Sequence, residues 1–205
     1  MRHESVLAVC AANVCRSPVI AYLASRQLQS AGFVVPPVLA SAGVSARGNV
    51  AVCHTMRARL AGEPGWDDLA SAHRSSRMTA DDVEQAELIL AATAAERGAV
   101  ALMRPDARAR SFTLLEAAAL AEHAVARGIR GVALEVGALA ETMNAQRGRV
   151  EPPEPGRWWN LRSGGIGFDI PDAHTSRARH GRVFDTIDDA ARRWGASIAR
   201  LTASA

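Results

Sequence analysis

Polar and apolar positions divide this chain into short apolar runs separated by amphipathic stretches. Val6-Leu7-Ala8-Val9 is an unbroken apolar run of strand length. After it, Ile20, Leu23, Leu28 and Ala31 recur at helical spacing from Pro18 onward, with Ser17 placed to cap and Ala31-Gly32 to stop the helix. Val38-Leu39-Ala40 predicts a second strand, Glu87 to Ala92 a third, and Ala109 to Phe112 a weaker fourth. Thr79-Ala80-Asp81-Asp82 caps one helix, and another runs from Ala94 to Met103. The last helix carries Phe184, Ile187, Ala191, Trp194, Ile198 and Leu201 at steps of three and four, a stripe that faces a core.

Apolar strands alternating with helices predict an α/β fold in three layers, about four parallel strands with helices on both faces. Ligand sites in such sheets lie at the carboxyl ends of strands, so the loop after strand one is the place to look. Residues 1–205 read as a single domain with an insertion at 113–167. That insertion predicts a helical hairpin, Leu114 to Ala121 and Val132 to Met143, broken at Gly128 and Gly131. A Pro-rich connector follows at Glu151 to Gly156, leading to Trp158 and Trp159.

Composition narrows the class. Hydrophobic residues make up 48% of the 205, and no apolar run reaches the length of a membrane span. The chain enters its first strand without a leader, so we expect a cytoplasmic protein. A net charge of +3 suits an anionic substrate but is too weak and diffuse to argue for nucleic acid. Cys10, Cys15 and Cys53 cannot build a disulfide framework. The six histidines show no metal-ligand spacing, so no metal or other cofactor is expected.

The chemistry concentrates in Cys10-Ala11-Ala12-Asn13-Val14-Cys15-Arg16-Ser17-Pro18. Amides of Ala11 to Ser17, with the helix N-terminus behind them, make a cradle for an oxyanion. Cys10 ends the strand at the bottom of that cradle, where such dipoles favour a thiolate. Arg16 stands at the rim, and its planar fork can clamp two oxygens of a tetrahedral anion. A nucleophile below the anion and a guanidinium above it imply attack on phosphorus or arsenic.

This segment resembles the phosphate loop of the low-molecular-weight protein tyrosine phosphatases, usually V-C-x-G-N-x-C-R-S-P, with Ala12 in place of the glycine. The resemblance implies hydrolysis of a phosphomonoester, a phosphorylated protein or small molecule, through a cysteinyl-phosphate. It implies Asp172, in Ile170-Pro171-Asp172, as the proton donor; Asp169 is the rival, and spacing favours Asp172. Ser41, in Ser41-Ala42-Gly43, and His73 are implied supports of the loop, His73 through Asn13. Around the substrate cleft the chain departs from the pattern, with Arg47 where an aromatic is usual, and Ala173 and His174 after Asp172. Trp158 and Trp159 either supply the missing aromatic wall or pin the connector. A reversible Cys10–Cys15 disulfide is a further expectation. Two alternatives stay open: an arsenate reductase using a small external thiol, and a phosphate-binding module with weak or no catalysis.

Overall fold

Four parallel strands form one sheet in the computed structural model, which describes residues 5–33, 38–152, 167–174 and 179–204. They are β1 (Ser5–Cys10), β2 (Val38–Gly43), β3 (Leu88–Ala91) and β4 (Ser111–Thr113), in the order β2-β1-β3-β4. The register sets Cys10 beside Gly43 and Val9 beside both Ala42 and Ala91, so three strands end at one level.

Alternation along the strands builds two cores. Val6, Ala8, Cys10, Leu88, Leu90 and Phe112 face one; Leu7, Val9 and Ile89 face the other. The first and larger core is covered by α1 (Arg16–Ser30), α6 (Leu114–Ala126), α7 (Val136–Asn144) and α8 (His180–Thr202). The short helices α2 (His54–Arg59) and α3 (Trp66–Ala72) add Met56 and Trp66 to it. The second core is closed by Val83 of α4 (Ala80–Gln85), Val100 of α5 (Ala94–Met103) and Ala107 of the 3-10 helix Pro105–Arg110. Helices therefore cover both faces of a four-stranded parallel sheet, and the Cys10 loop follows its first strand. All six apolar residues of the C-terminal stripe are buried on α8. Ile187, Trp194 and Ile198 are fully so, each stabilising the fold by roughly 1.5–3 kcal/mol.

Helix starts follow their side chains. Thr79 with Asp82, and Thr113 with Glu116, form reciprocal capping boxes. The first helix departs from expectation: it begins at Arg16 rather than Pro18, and Ser17 does not cap it. The Ser17 hydroxyl is drawn to Cys10 instead, which a serine at a helix start does not announce. The fourth strand is displaced too, because Ala109 and Arg110 close the 3-10 helix and pairing starts only at Ser111.

The two helices expected after Thr113 are α6 and α7, but Val132 and Leu134 precede the second rather than belonging to it. Val132 N–H donates to Leu201 O, and Gly131 N–H to Ala203 O, so the connection docks on the end of α8. Gly128 and Gly131 turn there at φ of +80° and +68°, which side-chain-bearing residues rarely adopt. No helix among the described residues is long and apolar enough to cross a membrane. Trp158 and Trp159 lie outside the described residues.

Candidate active site

The loop after β1 is held by its asparagine. Asn13 is fully buried at φ +54°, the left-handed conformation that asparagine tolerates better than most residues. Its side-chain amide donates to Ser41 Oγ at 2.9 Å and to Ser17 Oγ at 3.0 Å. Its Oδ1 accepts the Ser76 N–H at 2.9 Å, and its backbone carbonyl accepts His73 Nε2 at 2.8 Å. One residue thus ties the loop to β2, to α1 and to the segment after α3.

Cys10 is buried, its Sγ accepting the Asn13 N–H at 3.2 Å and lying 3.1 Å from Ser17 Oγ. Ser17 Oγ accepts from the Asn13 amide and keeps its own proton to give to the sulfur whenever Cys10 is a thiolate, which has none to donate. Both contacts set hydrogen-bonding groups against the sulfur.

Gly43 lies directly beneath the loop. A Cβ there would come within 2.7 Å of Ala11 O and 2.8 Å of Asn13 N, both unyielding backbone atoms. The close approach that demands glycine therefore falls on Gly43 and not on Ala12, whose φ is not positive. Ala12 is exposed and fits the loop as it stands.

Arg16, 3% exposed, joins the loop to the late part of the chain. It donates to Ile170 O at 3.0 Å and to Asp172 Oδ2 at 2.6 Å, and lies 3.4 Å from Glu96. The 167–174 segment is anchored beside it, with Ile170 N–H on Ala92 O at 2.9 Å. Asp169 accepts the Ala94 N–H at 2.7 Å, so this carboxylate serves the start of α5. Asp172 meets the arginine, and its other oxygen accepts the His174 N–H at 2.8 Å. Glu96 escaped the sequence reading because Thr93-Ala94-Ala95-Glu96 looks like a helix cap, and Thr93 does also hydrogen-bond it.

Two other expected cleft residues are exposed. Arg47 is exposed in the loop after β2. His174 is exposed and meets the His180 ring edge-on, centroids 4.7 Å apart. Cys10, Cys15 and Cys53 are all free. Burial pushes the Cys15 thiol well above its usual range, and Cys53 and Cys10 add to that shift. Burial, and then His174, lower the basicity of His180. Sulfur and nitrogen atoms of Cys15, Cys53, His174 and His180 lie within 4.8 Å of one another. No spacing in the sequence announced that cluster.

The family described as low molecular weight phosphotyrosine protein phosphatase matches residues 5–125. A protein-arginine-phosphatase of Geobacillus stearothermophilus is 34% identical over 110 residues, 53% of this chain and 68% of that protein. Among solved structures, the tyrosine phosphatase Wzb from Escherichia coli K30 in complex with phosphate aligns at a TM-score of 0.57 and 19% identity, covering 95% of this chain and 97% of that one. The low molecular weight protein tyrosine phosphatase from T. tengcongensis aligns at 0.59 and 18% identity, covering 93% and 96%. At such identities the structural likeness shows the fold. The matched region takes in all four strands and the Cys10 loop and runs into α6, and this chain belongs to the low molecular weight phosphotyrosine protein phosphatase family, a hydrolase of the phosphatase class.

Proposed function

We propose that the protein hydrolyses phosphomonoesters of the phosphotyrosine type through a phosphorylated cysteine. The observation that carries this reading is the Cys10–Ser17–Asn13 hydrogen-bond chain, which sets a hydroxyl against a buried sulfur beneath a loop of amides.

An entering phosphate takes donors from the amides of residues 11–17 and from the Arg16 guanidinium. This loosens Arg16 from Asp172, whose carboxyl group in its protonated form then faces the leaving oxygen. Cys10 Sγ attacks phosphorus in line; the S–P bond forms as the P–O bond breaks, and Asp172 gives its proton to the departing oxygen. Asp172, now a carboxylate, takes a proton from water as that water attacks phosphorus. The S–P bond breaks, Cys10 leaves as a thiolate supported by the Ser17 hydroxyl, and inorganic phosphate departs. Arg16 and the loop amides hold the equatorial oxygens in both steps. Free thiols at Cys10, Cys15 and Cys53 suit a reducing, cytoplasmic setting.

A pH–rate profile on para-nitrophenyl phosphate tests this reading. Cys10→Ser is expected to lose ~10⁴-fold or more in kcat. On phenyl phosphate, whose leaving group needs a proton, Asp172→Asn is expected to lose ~10²–10⁴-fold, and with it the alkaline limb of the profile, since only the protonated acid can donate. A Cys10→Ser variant of near-normal activity would sink the proposal. Arsenate turnover with added thiol, run in the same series, tests the reductase alternative.

A second substrate reading, phosphoarginine, is favoured by the arginine phosphatase among the relatives. Comparing kcat/KM on a phosphotyrosine peptide and a phosphoarginine peptide separates the two.

A further inference from the structure

Four side chains with metal-binding atoms meet beside the phosphate loop, and each comes from a different turn of the chain. Cys15 is the residue before α1, and Cys53 the residue before α2; neither side chain caps its helix. His174 lies two residues past Asp172, and His180 is the first residue of α8. Backbone bonds fix their neighbourhoods, Cys53 N–H to Val14 O at 2.8 Å and His174 N–H to Asp172 Oδ1 at 2.8 Å.

Their ligand atoms all lie within 4.8 Å of one another. The two imidazole Nε2 atoms are 3.4 Å apart with the rings at 83°. Two nitrogens bound to one tetrahedral ion at 2.0–2.1 Å must stand about 3.4 Å apart. Two edge-on histidines whose nitrogens face each other at that separation, with two sulfurs in reach, make the donor set and edge length of a tetrahedral site.

We propose that Cys15, Cys53, His174 and His180 bind one zinc ion in a closed tetrahedral site that latches the Asp172 segment to the phosphate loop. Two thiolates and two imidazoles suit zinc over magnesium or calcium, which prefer oxygen. The two sulfur charges balance the dication, so the ion enters a partly buried place without leaving net charge there. Binding forms two Zn–S and two Zn–N bonds, releases the two thiol protons to solvent, and changes no oxidation state. All four positions are filled by protein, so the ion is structural and takes no part in phosphoryl transfer. It also withholds Cys15 from pairing with Cys10. The site stands independently of which phosphorylated substrate the enzyme accepts.

The test uses the full-length, reduced protein, with Zn²⁺ and Co²⁺ as probes. One zinc per chain is expected by elemental analysis after dialysis. Co²⁺ added to chelator-treated protein is expected to give tetrahedral ligand-field bands with thiolate charge transfer. Removing a ligand costs more than disturbing its supporting partner, so Cys53→Ser and His180→Ala are each expected to weaken Co²⁺ binding by more than ~10²-fold. Circular dichroism of the zinc-free variants checks their folding. Hydrogen exchange of residues 167–174 is expected to speed up when zinc is removed from the wild type, and to ignore zinc in Cys53→Ser. A wild type without the charge-transfer spectrum, or variants binding Co²⁺ as tightly as it does, would overturn the proposal. So would a Cys15–Cys53 disulfide formed on exposure to air with equimolar Zn²⁺ present, whatever the variants do.

Discussion

The floor of the site and its wall are built on different principles. The floor, residues 10–17, is tied to two neighbouring segments by Asn13 and rests on Gly43. None of those bonds uses a group that a phosphate would claim. The wall, residues 167–174, is fastened through Ile170 and Asp169 to the end of β3 and start of α5. Among the described residues it is also tied by Arg16, the guanidinium the substrate needs, and by His174 against His180. The floor is therefore held without the groups a substrate needs, whereas the wall shares Arg16 with it.

Arg16→Lys attacks the one group common to both regions and is the most damaging of the substitutions that follow. Lysine keeps a charge beside Glu96 and Asp172, so the fold survives, but the planar fork is lost. A fall of ~10³-fold in kcat/KM on para-nitrophenyl phosphate is expected. Retained activity would mean that the wall, not the floor, holds the oxyanion.

Gly43→Ala strikes the floor alone. The added methyl meets backbone, so the loop must shift, at ~1–3 kcal/mol of stability and about 10²-fold in kcat. Thermal melts and steady-state kinetics measure both. A variant with normal kcat would show that the loop tolerates movement and is not preformed.

The floor was largely legible in the sequence because it is contiguous: strand, loop and helix follow one another within Val6 to Leu28. Cys10, Asn13, Arg16 and Ser17 lie together in that run, and Ser41 and His73 meet Asn13. Even there Ser17 misled, since its hydroxyl serves Cys10 rather than the helix end. Gly43 was quoted within Ser41-Ala42-Gly43, but its need for glycine comes from the loop lying on it, a packing fact with no local signature. The wall was harder. Arg16 and Asp172 are separated by 156 positions, and Glu96 enters from a third segment disguised as a cap residue. The Cys15, Cys53, His174 and His180 cluster was not legible at all, because its spacing matches no local ligand motif and only topology assembles it.

Ala12→Gly makes the smallest disturbance and separates the two glycine positions. With no positive φ to relieve, glycine only adds freedom to the unfolded chain. A loss of ~0.4–1 kcal/mol in stability is expected, with kcat/KM changed less than ~3-fold. A large gain in activity would mean that the alanine methyl obstructs the bound oxyanion.

The central claim is that Cys10 itself carries the phosphoryl group. Asp172→Asn with para-nitrophenyl phosphate, quenched within one turnover and read by mass spectrometry, tests it most directly. This leaving group departs without a proton, so the first step proceeds while attack by water stalls. The account predicts one phosphoryl group per chain, located on Cys10. Phosphate released at the normal rate with Cys10 unmodified, or a label on any other residue, would contradict it.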